Sequence, residues 1–429
     1  MDLDALAPTH TTLPSGLRVV IIPRPGLHRV VIDAHLRVGS RFESASDNGI
    51  SHFLEHMEYR GTPDYPSAHE QALAFEELGG TLVATTAADT GSMTIATPPE
   101  NFKSVLELYA RVFQTPLLRG IEIERGIVSE EILESLDDEG KQVDPDNLLR
   151  TLVFGAHPLG FPITGPIEHL EHFDEANLRA HHQAHYVGSG TVIGVAGPVD
   201  PERVIAQVEE CFKDLPRGAL SQVSPPPDQG GVRWRYVRHA ASQTALRLGF
   251  RAPSCTHPDE PAMELLLRTL DDGMSTRLYQ QICDTKGLCY DVSAGFEAYE
   301  DAGLIELCAE TAHERALDVL DELLDVVARL RDDGPSEEEL EKARRRHRWQ
   351  LREMLDHAEE LTSFYGLGEL AGLSRTPLER QEELEAVSRQ RVLSVAQHWL
   401  CPANLSALAV GTLSKRVQTE LEGRVRAFD

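Results

Sequence analysis

Asp47-Asn48-Gly49-Ile50-Ser51-His52-Phe53-Leu54-Glu55-His56-Met57-Glu58-Tyr59 is the stretch on which the reading of this chain turns. Asp47 and Asn48 are good helix-capping residues and no proline interrupts the run from Gly49 to Tyr59, so the spacing predicts a short helix. At roughly 100° per residue, Ile50, Phe53, Leu54 and Met57 share one face. His52, Glu55, His56 and Tyr59 share the other. Residues four apart are neighbours on a helix surface, so both imidazoles can converge on one metal ion. Glu55 would then lie beside that metal, where it can take a proton from a bound water. The alternative is a solvated face that happens to carry histidines, and a third ligand is needed to decide.

Ile121 to Leu133 reads as a second helix, with Glu124 and Glu131 two turns apart on one side. Ile127 and Val128 are expected between them on that side. An ionised carboxylate in an apolar stripe is costly unless a cation or a donor meets it. Glu122, Glu130 and Glu134 have no such setting and read as surface charges.

His52-x-x-Glu55-His56 followed by Glu124 and Glu131 resembles the inverted-zincin motif of the pitrilysin-like (M16) metallopeptidases. The resemblance implies one zinc per chain on His52, His56 and Glu131. It also implies Glu55 as general base and Glu124 as a carboxylate supporting the site from behind. The chain length resembles the two-domain branch that includes bacterial processing peptidases and the mitochondrial processing peptidase subunits.

Further residues carry the resemblance. The strand after Gly79-Gly80 is, in the family, a sheet edge that takes substrate peptide as an added strand, a mode tolerant of sequence. The family's usual asparagine on that strand is here Val83, followed by Ala84. In the second half, Gly273-Met274-Ser275-Thr276-Arg277-Leu278-Tyr279 and Lys286-Gly287-Leu288-Cys289-Tyr290 resemble a segment in which an arginine and a tyrosine bind the substrate carbonyl. Tyr290 is present, which implies a catalytic role, but Cys283 stands at the arginine position. His157 reads as part of a proline-stiffened turn. His181, His182 and His185 have no acidic or thiol partner in their spacing and are assigned to packing or surface.

The chain has 429 residues, 41% of them hydrophobic, enough for two domains with full cores. Its net charge of −28 argues against nucleic acid or an anionic membrane as partner and permits cationic substrates. Met1-Asp2-Leu3-Asp4 opens without a basic region and an apolar one, so no signal peptide is expected. No run reaches membrane-spanning length. The six cysteines have no metal-finger spacing and read as reduced thiols of a cytoplasmic protein.

Residues 219–231, with Pro225-Pro226-Pro227 and Gly230-Gly231, read as a linker. Beyond it the first half repeats: Gly79 to Ala96 is echoed by Gly287 to Ala309, and the histidine helix by Pro261 to Leu270, which carries neither histidine. The expected fold class is therefore α+β, with two tandem homologous units (1–218 metal-binding, 232–429 metal-free). Each is expected to hold a mostly antiparallel sheet with helices packed on one face. The resemblance implies a zinc endopeptidase or oligopeptidase that pairs as a homodimer, or as a heterodimer with a related M16 chain, and encloses unfolded peptides in a chamber. The rival reading is a non-catalytic or weakly active assembly subunit. Such subunits typically lose part of the metal motif, whereas all five positions are intact here. A purely structural zinc would need a fourth protein ligand, which the sequence does not offer.

Overall fold

In the computed structural model, which describes residues 8–429, Val30 to Leu36 forms a strand buried along its whole length. A strand covered on both faces needs apolar residues at both parities, and this one departs from that only at Asp33 and His35. The Asp33 carboxylate accepts from the Thr94 hydroxyl at 2.7 Å and the Thr362 hydroxyl at 3.2 Å, which satisfies it in the core.

Eleven strands and fourteen α-helices are formed among the described residues, besides shorter 3-10 turns and a π-helical turn at Tyr279–Thr285. The first half contains β1 (Thr9–Thr12), β2 (Arg18–Pro23), β3 (Val30–Leu36), α1 (Ile50–Glu58), α2 (Ala68–Glu77), β4 (Val83–Thr86) and β5 (Gly91–Thr97). It continues with α3 (Phe102–Gln114), α4 (Ile121–Leu133), α5 (Pro145–Phe154), α6 (Glu175–His185), β6 (Thr191–Gly197) and α7 (Pro201–Cys211). The second half opens with β7 (Arg233–Arg238), β8 (Thr244–Ala252), α8 (Glu260–Leu270), β9 (Asp291–Ala298) and β10 (Gly303–Thr311). Then come α9 (Ala316–Asp333), α10 (Glu337–Met354), α11 (Ala358–Leu370), α12 (Pro377–Ala386), α13 (Arg389–Trp399), β11 (Leu405–Gly411) and α14 (Lys415–Arg426). No helix or strand lies between Cys211 and Arg233, where the linker was expected. None of the described helices is long and apolar enough to cross a membrane.

The internal repeat is visible in the sheet orders, β1-β2-β6-β3-β5-β4 and β7-β11-β8-β10-β9. Apart from the added β1, which the sequence reading missed, the two are the same permutation. In each, one pair is parallel, β2 with β6 and β7 with β11, and the rest are antiparallel. Helix α8 follows the second strand of its copy as α1 follows β3. This is the expected α+β fold.

The chain forms two compact units that do not coincide with its contiguous halves: Leu133–Phe161 belongs to the second unit and Leu351–Leu378 to the first. Within the first unit, Val20, Ile22, Val31, Val192 and Ala196 pack against Leu351, Met354, Leu355 and the α11 residues Ala358, Leu361 and Tyr365. Residues of the other parity, Val19, Ile21 and Ile32, are equally buried, so this sheet is covered on both faces. Contact with α11 is close: a Cβ on Gly366 would lie 2.1 Å from His35 Cδ2. Within the second unit, Leu246, Leu248 and Phe250 pack on α8, α9 and α13. The other parity meets α5, where Gly249 approaches Leu149 and Arg247 pairs with Asp146 at 2.7 Å. Each sheet thus has a second apolar face, and a helix from the opposite half of the sequence covers it.

Candidate metal centre

Helix α1 buries Ile50, Phe53, Leu54 and Met57, as its periodicity predicted. Its start corrects the expectation. Neither Asp47 nor Asn48 caps it; the cap position is Gly49, at φ 100°. A Cβ there would lie 2.5 Å from the Thr164 carbonyl, so glycine is required for space as well as conformation. The capping acceptor is Glu43, from upstream in the chain. Its buried carboxylate accepts from Gly49 N–H and Ser51 N–H, both at 2.8 Å, and from Asn48 Nδ2 at 2.9 Å. A carboxylate at the positive end of a helix satisfies its free amides and opposes its dipole. Asn48 Nδ2 also donates to the Pro162 carbonyl at 2.8 Å, and Asp47 accepts from Ser44.

The polar face of α1 meets α4. Liganding atoms of His52, His56 and Glu131 all lie within 4.8 Å of one another. His52 Nε2 is 3.3 Å from one Glu131 oxygen and His56 Nε2 is 3.4 Å from the other. Bonds of about 2.0–2.1 Å in a tetrahedron put neighbouring donors about 3.3–3.4 Å apart. The two histidine–glutamate pairs stand at that spacing, each through a different Glu131 oxygen. Two imidazoles with one carboxylate suit zinc and leave a position for water, the donor set of catalytic rather than closed structural sites. Of these three residues His52 is the most buried, and among the described residues its Nδ1 has no hydrogen-bond partner.

Glu124 stands behind His56. The His56 Nδ1–H donates to its carboxylate at 3.2 Å, fixing the ring so that Nε2 points the other way, and Arg60 pairs with the same carboxylate. Burial works to raise the Glu124 carboxyl, but the His56 donation and the Arg60 charge outweigh it and hold it below the usual range. Donation from His52 lowers the Glu131 carboxyl against the opposing effect of burial. For His56, burial disfavours the charged ring, yet the surrounding Glu124, Glu131 and Glu55 raise it overall. The stripe expected between the glutamates is split: Val128 is buried while Ile127 is exposed. Helix α4 ends at Leu133, and Asp137 then turns the chain by accepting from Glu139 N–H and Lys141 N–H.

Glu55, between the two histidines, accepts from the Thr86 hydroxyl at 2.6 Å. Thr86 ends β4, which is the free edge of its sheet, with Val83 exposed. One turn on from Glu55, the Tyr59 hydroxyl accepts from Ala84 N–H at 2.6 Å. Glu58 points into the core, where burial pushes its carboxyl up to about 8. Sequence reasoning missed Glu43, Arg60 and Thr86. Only Arg60 had a readable signal, its place one turn beyond His56.

The remaining expected residues fall elsewhere. Tyr290 belongs to the second unit, immediately before β9, and is 94% exposed. Cys283 Sγ lies 3.6 Å from Cys289 Sγ, and Lys286 pairs with Glu322. All six cysteines are free and half-buried. His181 is bonded to Ser51, His182 donates to the Phe113 carbonyl and His185 to the Arg37 carbonyl, so this cluster packs α6 in place. His157 accepts from Leu159 N–H and stiffens its turn.

Known proteins resemble this chain over most of its length. Residues 18–167 match the insulinase family (peptidase family M16), and residues 172–346 match the peptidase M16 inactive domain. An uncharacterized zinc protease of Mycobacterium tuberculosis is 33% identical over 407 residues, covering 92% of this chain and 91% of that protein. One from Bacillus subtilis is 30% identical over 390 residues, covering 90% of this chain and 94% of its own. Among solved structures, a protease from Helicobacter pylori superposes with a TM-score of 0.87 at 20% identity, over 95% of this chain and all of that one (100%). A putative M16-like peptidase from Alicyclobacillus acidocaldarius gives 0.81 at 22% identity, over 95% and 99%.

Proposed function

The chain belongs to peptidase family M16, and from that premise we propose that it is a zinc-dependent endopeptidase or oligopeptidase acting on unfolded peptides. The observation that carries this reading is the placement of Glu55. A carboxylate outside the liganding cluster stands between the two imidazoles along α1, and it accepts from Thr86 on an edge strand of the sheet.

His52, His56 and Glu131 would hold one zinc. Bound there, the metal supplies polarisation of the scissile carbonyl and lowers the pKa of a water. Glu55 takes the proton from the attacking water and returns it to the leaving amine. Glu124 keeps His56 oriented. The free edge of β4 receives the substrate as an extended strand, without the side-chain amide contact that Val83 cannot make. Tyr290 is assigned to the substrate carbonyl through the family resemblance, in a homodimer or a heterodimer with a related chain. Free thiols suit a reducing compartment such as the cytoplasm.

The test compares zinc content and hydrolysis of an unstructured fluorogenic peptide among variants. The wild type should carry about one zinc per chain, and His52→Ala, His56→Ala and Glu131→Ala should lose most of it. Glu55→Gln should keep the zinc and lose hydrolysis. Unchanged turnover in Glu55→Gln would refute the assignment of the base. A zinc-loaded wild type without hydrolysis would favour the assembly-subunit reading.

A further inference from the structure

We propose that Thr86 is a positioning residue for Glu55, so that the strand receiving the substrate also holds the general base. The inference rests on the peptidase reading above and names a residue that the metal motif does not contain.

Three observations carry it. The Thr86 hydroxyl donates to Glu55 Oε2 at 2.6 Å, a distance within the range of a good hydroxyl hydrogen bond. Among the described residues this is the hydrogen bond that Glu55 receives, and it leaves Oε1 as the free acceptor. Thr86 is itself fixed: it pairs with Gly91 of β5, while two residues back the Ala84 N–H is held by Tyr59 of α1. Glu55 and Tyr59 are one turn apart on α1, and Ala84 and Thr86 share a side of β4, so the helix and the strand are joined at two points. A branched Cβ further limits how the Thr86 hydroxyl can turn.

The consequence is geometric. A glutamate side chain has several rotatable bonds, and one hydrogen bond from a rigid strand selects among its conformers. Because peptide substrate would add to the same strand, base and scissile bond are referenced to one piece of backbone. Displacement of a catalytic group by about 1 Å can cost on the order of 100-fold in rate.

Thr86→Val keeps the shape and the strand preference and removes only the donor; Thr86→Ser keeps the donor. In the zinc-loaded protein, Thr86→Val should lower kcat about 10- to 100-fold with KM nearly unchanged, and Thr86→Ser should recover most of the loss. A second measurement needs neither metal nor turnover: urea midpoints of the metal-free wild type, Thr86→Val, Glu55→Gln and the double variant. The shifts should be non-additive if the two side chains are bonded. Wild-type kcat in Thr86→Val, or additive midpoints, would overturn the proposal. If the wild type itself does not hydrolyse peptides, the peptidase reading fails and the role falls with it, even where the midpoints stay coupled.

Discussion

Replacing Glu43 is expected to loosen the metal helix from its start. The Glu43 carboxylate takes three donors, Gly49 N–H, Ser51 N–H and Asn48 Nδ2. In Glu43→Ala, Asn48 Nδ2 keeps the Pro162 carbonyl, but the two amides lose their acceptor. Each buried donor left unsatisfied costs about 1–3 kcal/mol. Losing a negative charge at a helix N-terminus adds about 0.3–1 kcal/mol. Water entering the space left by the side chain offsets part of this. The expected destabilisation is therefore about 2–5 kcal/mol for Glu43→Ala. It should be roughly half that for Glu43→Gln, which keeps one acceptor oxygen. Because His52 stands in the first turn of α1, zinc affinity should fall with stability. The assay is urea unfolding of the metal-free protein, followed by zinc titration against a chelating dye. A Glu43→Ala protein within about 0.5 kcal/mol of the wild type, the range of ordinary surface changes, would refute this account of the helix start.

Burial lowers His181 to about 3 and His182 to about 4, so both stay neutral when folded and gain protons on unfolding below pH 6.5. The unfolded state then binds more protons, so urea stability should fall as pH drops from 6.5 towards 4. His182→Gln, which keeps a donor for the Phe113 carbonyl, should flatten that slope. Glu124→Gln should weaken zinc binding about 10- to 100-fold by removing the charge behind His56, measured by dye competition. Cys283→Arg should raise the hydrolysis rate of the isolated chain, and mixing with a related chain that has an arginine there should raise it more. Full activity from the homodimer with no gain from either would exclude a partner-supplied clamp. With its charge of −28, the chain should cleave basic peptides faster than acidic ones at low salt, and the difference should shrink as salt rises.

The metal motif, the helices that carry it and the doubling of the fold could all be read from the sequence. These depend on local spacing: imidazoles four apart, glutamates seven apart, and strand and helix periods repeated after a proline-rich linker. The burial of Ile50, Phe53, Leu54 and Met57 follows from periodicity alone. The features that the sequence left open depend on contacts between distant residues. Asp47 and Asn48 have the composition of caps, yet Glu43 takes the amides because a glycine turn brings it onto the helix end. Thr86 reaches Glu55 only because β4 is laid along α1 by the sheet order. The exchange of α5 and α11 between the two halves of the sequence leaves no periodic trace, because an amphipathic helix shows that it needs an apolar surface without showing which one. Spacing along the chain determined which side chains could meet at the site. Packing decided what holds it in place.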